Sequence, residues 1–287
     1  MFEIILGIIG MFFWGVVDFL SVKTIRKIGV LLTFFWAQLV GLSIIFFYSI
    51  STSQKLNATL LSGSIFVVVL AALFFTIGTL FFYKGLNIGQ ASIVCPMMGS
   101  WSMITVILSV VFLHEVLKTH QIAAIVLIIL GIILVSVNIK DALKNRLTFF
   151  TGVKEGFISM FSYGLATFFL AFSIQSSGWF LPAVLCRLFM LIFLFFYALL
   201  SRQSLRAGFQ FPVWKLVLAI GLLDITAFLA YSIGVSSGHA ALIAPITAAS
   251  PLITIILARI FFKEKLVLNQ IVGVIMAVAG IILIAFK

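Results

Sequence analysis

Gly89 to Leu134 reads GQASIVCPMMGSWSMITVILSVVFLHEVLKTHQIAAIVLIILGIIL, and Gly238 to Leu283 reads GHAALIAPITAASPLITIILARIFFKEKLVLNQIVGVIMAVAGIIL. Laid over each other without a gap, Gly89, Pro96, Thr105, Phe112, Glu115, Gln121 and Gly131 fall on Gly238, Pro245, Thr254, Phe261, Glu264, Gln270 and Gly280, each pair 149 positions apart. The second stretch is a copy of the first.

The same offset reaches back to the start of the chain. Gly7, Phe12, Trp14, Gly15, Phe19 and Gly29 meet Gly156, Phe161, Tyr163, Gly164, Phe168 and Gly178. One unit is therefore written twice. A repeat of this length in so apolar a chain points to a transporter.

With 64% hydrophobic and 9% charged residues, the 287-residue chain has too little polar surface to coat a water-soluble globule. Lipid admits helices and closed barrels, and barrel strands would alternate in segments of about 10 residues. Unbroken apolar runs of about 20 residues select helices instead. The net charge of +11 lies in short loops, which argues for membrane orientation and against a nucleic-acid-binding face. Cys95 and Cys186 fall inside apolar runs and read as small buried hydrophobes, so neither a disulfide framework nor a metal site is expected. The first apolar run has no basic residue ahead of it and no small-residue cleavage site after it, so it reads as a retained span.

Hydropathy and loop signals predict ten spans, over 3–21, 30–50, 63–86, 90–112, 119–138, 152–174, 179–200, 215–236, 239–261 and 267–286. The expected fold class is an all-α integral membrane protein of ten transmembrane helices in two inverted five-helix repeats. Repeat 1 covers 1–138 and repeat 2 covers 152–287, joined by a linker over 139–151. Five is odd, so the second copy enters the membrane from the opposite side.

Basic residues set the orientation. Lys23, Arg26, Lys27, Lys84, Lys140, Lys144, Arg146, Lys154, Arg202, Arg206, Lys215, Arg259, Lys263 and Lys265 collect on one side, against Lys55, Lys118 and Lys287 on the other. The richer side is expected to be cytoplasmic, with the linker there and both termini outside a cell membrane.

An Ala-rich helix start with an in-helix proline (Ala91 and Pro96, Ala240 and Pro245), then Glu115 or Glu264, then Gln121 or Gln270 and a late glycine, resembles the EamA domain of the drug/metabolite transporter superfamily. Trp14, Gly15, Asp18, Phe19 and Leu20 look like the first helix of many such domains. Two domains cover nearly the whole chain. In that family the glutamate usually follows a glycine, whereas His114 and Lys263 precede it here. A basic residue often found in the second helix is Gln38 in repeat 1 and Arg187 in repeat 2. The resemblance implies a secondary carrier of small metabolites, commonly an exporter of amino acids or related compounds, with sugars, nucleotide-sugars and drugs carried by relatives. It also implies that spans 1, 3, 4 and their counterparts 6, 8, 9 wall a cavity, with spans 5 and 10 outside it.

A charge inside a span costs about 2.5–3.5 kcal/mol on insertion scales, so each one needs a partner, a wet cavity or a route to the interface. Asp224, midway along span 8, is the first candidate for a substrate or proton site, and a structural ion pair with Arg187 is the alternative reading. Asp18, about one turn from the end of span 1, has Trp14 on the same face. It either couples transport to protons or neutralises Lys23 or Arg26. Trp14, Tyr163, Tyr83, Tyr231 and Trp101 carry polar handles that suit an organic solute, although interface belts use the same residues. Matched Pro96 and Pro245 free backbone carbonyls near the midplane and mark a helix break or gate. Glu115 and Glu264 are expected to favour the positive starts of spans 5 and 10.

The partners expected are a small-molecule substrate and the lipid bilayer. No cofactor and no catalytic residue is expected. Without an ATP-binding motif, energy must come from a gradient, with proton exchange resting on Asp18 and Asp224. The competing readings are a sugar or drug facilitator of the same superfamily, an intramembrane enzyme built on the two aspartates, and a membrane scaffold subunit. The enzyme is disfavoured because the aspartates are expected at different depths and no GxSxG or HExxH occurs.

Overall fold

The structure, a computed structural model, describes residues 2–51, 61–88, 97–136, 152–206, 208, 211–262 and 267–285. Pro96, Cys95, Gly89, Glu264 and the linker over 139–151 lie outside the described residues. Every regular element among the described residues is a helix: α1 (Phe2–Ile28), α2 (Val30–Ser51), α3 (Leu61–Ile88), α4 (Trp101–Phe112), α5 (Thr119–Ser136), α6 (Val153–Ser177), α7 (Phe180–Leu200), α8 (Phe211–Ser237), α9 (Ala240–Ala248), α10 (Pro251–Phe262) and α11 (Leu268–Ala285).

Among the described residues seven helical segments are long and apolar enough to cross a bilayer, with α9 and the first half of α10 counting as one. Three more, Met97–Phe112, Thr119–Val135 and Leu268–Ile284, are apolar but shorter, at the lower end of what spans about 30 Å. Phe47, Phe66, Phe196 and Leu200 are among many large apolar side chains left more than half exposed, as contact with lipid requires. The chain is a multi-pass membrane protein.

Two boundaries differ from the hydropathy reading for physical reasons. The helix α1 runs to Ile28, because Lys23, Arg26 and Lys27 end the apolar run without ending the helix. It stops at Gly29, whose φ of +81° is open to glycine at little cost, with its N–H donating to Ile25 O at 2.8 Å. The repeat copies this stop, since Gly178 (φ +75°) donates to Ile174 O at 2.9 Å. Asp18 thus lies ten residues from the helix end, about 15 Å at 1.5 Å per residue, rather than one turn. The second difference is in expected span 9, which breaks at Ala249 and Ser250 into α9 and α10. Pro251 takes the first position of α10, where its missing N–H costs nothing.

The halves interlock by exchange. The helix α3 packs along α6, and α8, its counterpart, packs along α1; α2 meets α8 as α7 meets α3. Hydrogen bonds repeat the pattern, with Thr105 Oγ1 donating to Gly164 O at 3.1 Å and Thr254 Oγ1 to Gly15 O at 3.0 Å. Both glycines are needed for closeness, since a Cβ at Gly164 would sit 2.6 Å from Ile104 Cβ and one at Gly15 2.5 Å from Ile253 Cβ. The helices α5 and α11 pack mainly on each other, off to one side. Their starts are capped alike, by Gln121 Oε1 accepting from Lys118 N at 2.9 Å and Gln270 Oε1 from Val267 N at 3.2 Å.

Candidate functional site

A cavity of about 130 Å³ lies where the halves meet. Its walls follow helical spacing. On α1, Trp14, Asp18, Ser21 and Ile25 face it, on α3 Phe75, Thr79 and Tyr83, and on α6 Tyr163 and Thr167. The helices α2 and α7 also contribute, through Gln38 and Arg187, so the wall is wider than spans 1, 3, 4, 6, 8 and 9. No residue of α5 or α11 lines it.

At the centre is a polar knot. Arg187 Nη1 donates to Asp224 Oδ2 at 2.5 Å and to Gln38 Oε1, while Nη2 lies 3.5 Å from the Asp224 carbonyl oxygen. Trp14 Nε1 donates to Asp224 Oδ1 at 3.1 Å, and Gln38 Nε2 to Oδ2 at 3.2 Å. The guanidinium also lies over the Phe228 ring, 4.1 Å from its centroid. Arg187 is only 1% exposed, so its charge is spent on partners within the protein. Such burial is tolerated when hydrogen bonds support both ions, and here Trp14 and Gln38 donate to Asp224 and Gln38 accepts from Arg187, leaving Arg187 Nε without a partner.

The aromatic side is built on Tyr163, whose hydroxyl is 2.6 Å from Thr79 Oγ1 and whose ring packs edge-on against Phe75 at 5.8 Å. Trp101 starts α4 and forms part of the wall. Tyr231 does not line the cavity. It is wholly buried behind Trp14, with ring centroids 5.9 Å apart, because its position on α8 faces α1. Asp18 and Asp224, expected at different depths, border the same space, because α1 extends past Asp18 and the void follows it. Neither Lys23 nor Arg26 forms an ion pair with Asp18 among the described residues, where Ser250 Oγ at 3.5 Å is its hydrogen-bond donor. Pro245 lies inside α9, of which every residue is buried.

Sequence reasoning gave Gln38 no role beyond a departure from the family pattern, and it passed over Thr79, Thr167 and Ser250. The offset of 149 points to Gln38, Thr167 and Ser250, the equivalents of Arg187, Asp18 and Trp101, but not to Thr79, whose equivalent is Phe228. Trp14 and Tyr163, Asp18 and Thr167, Gln38 and Arg187, and Phe75 and Asp224 are equivalent pairs with both members on the wall. So are Thr79 and Phe228, Met98 and Thr247, and Trp101 and Ser250. Beyond this shared centre the described wall continues past Ser21 to Ile25 and Val30 beside the Gly29 turn. The counterparts of Val17, Ser21, Ile25, Phe34 and Ala37 are Ala166, Leu170, Ile174, Ala183 and Cys186. None of these lines the cavity, and all are at most 2% exposed.

At the sealed end Glu115 has a role different from the one expected of it. Its buried carboxylate accepts from Ala240 N at 2.9 Å (Oε1) and Ala241 N at 2.8 Å (Oε2), so it caps α9 of the other repeat rather than its own α5. The turn that aims it requires φ +53° at His114, a conformation that costs a side chain about 1 kcal/mol and glycine almost nothing. A glycine before the glutamate suits that position. Among the described residues no group of three His, Cys, Asp or Glu side chains is placed to hold a metal.

The sequence matches the EamA-like transporter family over residues 1–137 and again over 150–286. A Methanocaldococcus jannaschii protein described as uncharacterized is 36% identical over 141 residues, which are 47% of this chain and 96% of that protein. It is about one repeat long. A solved crystal structure superposes with a TM-score of 0.81 over 99% of this chain and 96% of its own, at 13% identity, a likeness of fold alone.

Proposed function

Because the chain belongs to the EamA-like transporter family, we propose that it is a secondary-active carrier of small organic metabolites such as amino acids, working by alternating access. In this reading ten spans form two inverted repeats, 1–138 and 152–287, joined by a cytoplasmic linker over 139–151. Trp14, Asp18, Tyr83, Trp101, Tyr163, Arg187 and Asp224 bind the solute or couple its movement. Tyr231 backs Trp14, and Pro245 with Pro96 mark the helices that gate.

One observation supports the reading most: a cavity centred on seven pairs of repeat-equivalent residues extends to one end of the bundle and is packed shut at the other. Exchanging the conformations of the two repeats would open the sealed end and seal the open one. The open end carries Lys23, Arg26 and Lys27. By the charge rule it is cytoplasmic, so this is the inward-open state and both termini lie outside the cell membrane. Reagents that cannot cross the membrane should label Met1 and the linker from opposite faces; labelling from one face would remove the inversion.

The activity itself is tested by counterflow in proteoliposomes loaded with small metabolites. Saturable exchange above empty vesicles is expected, with a drop of about tenfold or more in Asp224→Asn, which leaves the buried Arg187 charge without its anion. Proton exchange adds that an imposed pH gradient drives uptake. No exchange, or exchange indifferent to Asp224, would count against the carrier.

A further inference from the structure

We propose that the solute taken by this cavity is an organic cation, a protonated amine on a body no larger than about one aromatic ring. The inference rests on the carrier reading and narrows its substrate. It begins with a charge count. Among the described residues Asp18, Asp224 and Arg187 are the charged side chains on the wall, a formal −1 with both carboxylates ionised.

That charge is not shared evenly. Asp224 has Arg187, Gln38 and Trp14 as donors, and Arg187, 1% exposed, already carries Asp224 and Gln38 on Nη1, with a 3.5 Å contact from Nη2 to the Asp224 carbonyl oxygen and no partner on Nε. Asp18 has one long hydrogen bond, from Ser250 at 3.5 Å. Cations on nearby elements do not face Asp18: Lys84 of α3 pairs with Glu155 at 3.3 Å, and Lys23, Arg26 and Lys27 are exposed on the turns of α1 beyond Asp18. From α8 the facing charge is Asp224, from α3 the facing group is the Tyr83 phenol, and from the α9–α10 break it is the Ser250 hydroxyl. A carboxylate in an apolar enclosure with so little compensation attracts a cation.

The rest of the wall accepts the body of such a ligand. Trp14, Tyr83, Trp101 and Tyr163 line the same cavity as the carboxylate, and any ring that turns its face to the bound ammonium adds quadrupole attraction to that of the charge. A cavity of about this volume holds one benzene-sized group. An anion would meet Asp18, and the one cation on the described wall, Arg187, is 1% exposed and already paired with Asp224.

The test is titration calorimetry and thermal shift on the full chain in detergent, with phenethylamine, 2-phenylethanol and phenylacetate as probes of similar size and the bulkier phenethyltrimethylammonium as a permanent cation. Both cations are expected to bind about tenfold or more tightly than the alcohol, and phenylacetate most weakly. Asp18→Asn should bring amine and alcohol level, while Asp18→Glu keeps the preference. The affinity order on the unaltered chain stands as a test even if Asp18→Asn does not fold. Equal or tighter binding of the alcohol or phenylacetate, preference surviving in Asp18→Asn, or no binding of either cation would overturn the proposal. Counterflow separates the two readings. Cations that bind but do not exchange would remove the carrier and leave the charge selectivity; exchange of 2-phenylethanol with no response to the amines would do the reverse.

Discussion

Arg187→Leu is expected to destabilise the protein by about 3–5 kcal/mol and to abolish exchange. The guanidinium is 1% exposed and holds Asp224 and Gln38 together at the meeting point of α2, α7 and α8. Its removal leaves the Asp224 carboxylate with only Trp14 and Gln38 as donors and no positive charge. Arg187→Lys recovers part of the loss, because a single ammonium replaces the charge but not the second hydrogen-bonding direction. The double variant Arg187→Leu with Asp224→Leu removes both ions, so its stability should return to within about 1–2 kcal/mol of the parent while transport stays absent. Thermal unfolding in detergent, read beside counterflow, distinguishes these cases. If the single and double variants melt together, Arg187 and Asp224 are not an energetic pair.

Glu115→Ala carries the second large effect, about 2–5 kcal/mol of lost stability. The amides of Ala240 and Ala241 point out of the first turn of α9 into a fully buried region, and the Glu115 carboxylate is the acceptor each one has. Each buried amide left without a partner costs about 1–3 kcal/mol. Glu115→Gln keeps one acceptor oxygen and sets an NH2 against the other amide, so it should fall between. Since α9 carries Thr247 into the cavity wall, Glu115→Ala is also expected to slow exchange. A melt within about 0.5 kcal/mol of the parent would show that the clamp does not hold α9.

Much of the architecture could be read from the repeat itself. An offset of 149 with no gap carries the order of the helices, the glycine stops of α1 and α6, and the two glycine and threonine contacts, because each depends on residues that both copies retained. The charged and polar aromatic members of the wall were legible for another reason: such side chains are too costly in lipid to be placed there without purpose. What stayed hidden depended on neighbours distant in sequence. Glu115 serves a helix 125 residues away, and no local pattern says so. The depth of Asp18 was misjudged because hydropathy reports where apolar residues end, whereas the helix ends where Gly29 lets the backbone turn. Tyr231 resembles the other phenols by composition, and only the packing of α8 on α1 turns it away from the void. Gln38 is uncharged and so drew little notice, although Arg187 bonds to it.

Gln38 and Arg187 hold the same place in their respective copies, and they touch. Any position that meets its own equivalent obeys a rule. In an assembly of two identical single-repeat subunits the residue would face itself, so the choice there would be two cations repelling each other or two neutral amides. A solitary positive charge on the symmetry element is open only to a polypeptide that joins both copies and lets them diverge. The same freedom sets Phe75 in one copy against Asp224 in the other. Joining the two copies in one chain, more than any single substitution, is what allows this cavity a polar wall and an aromatic wall.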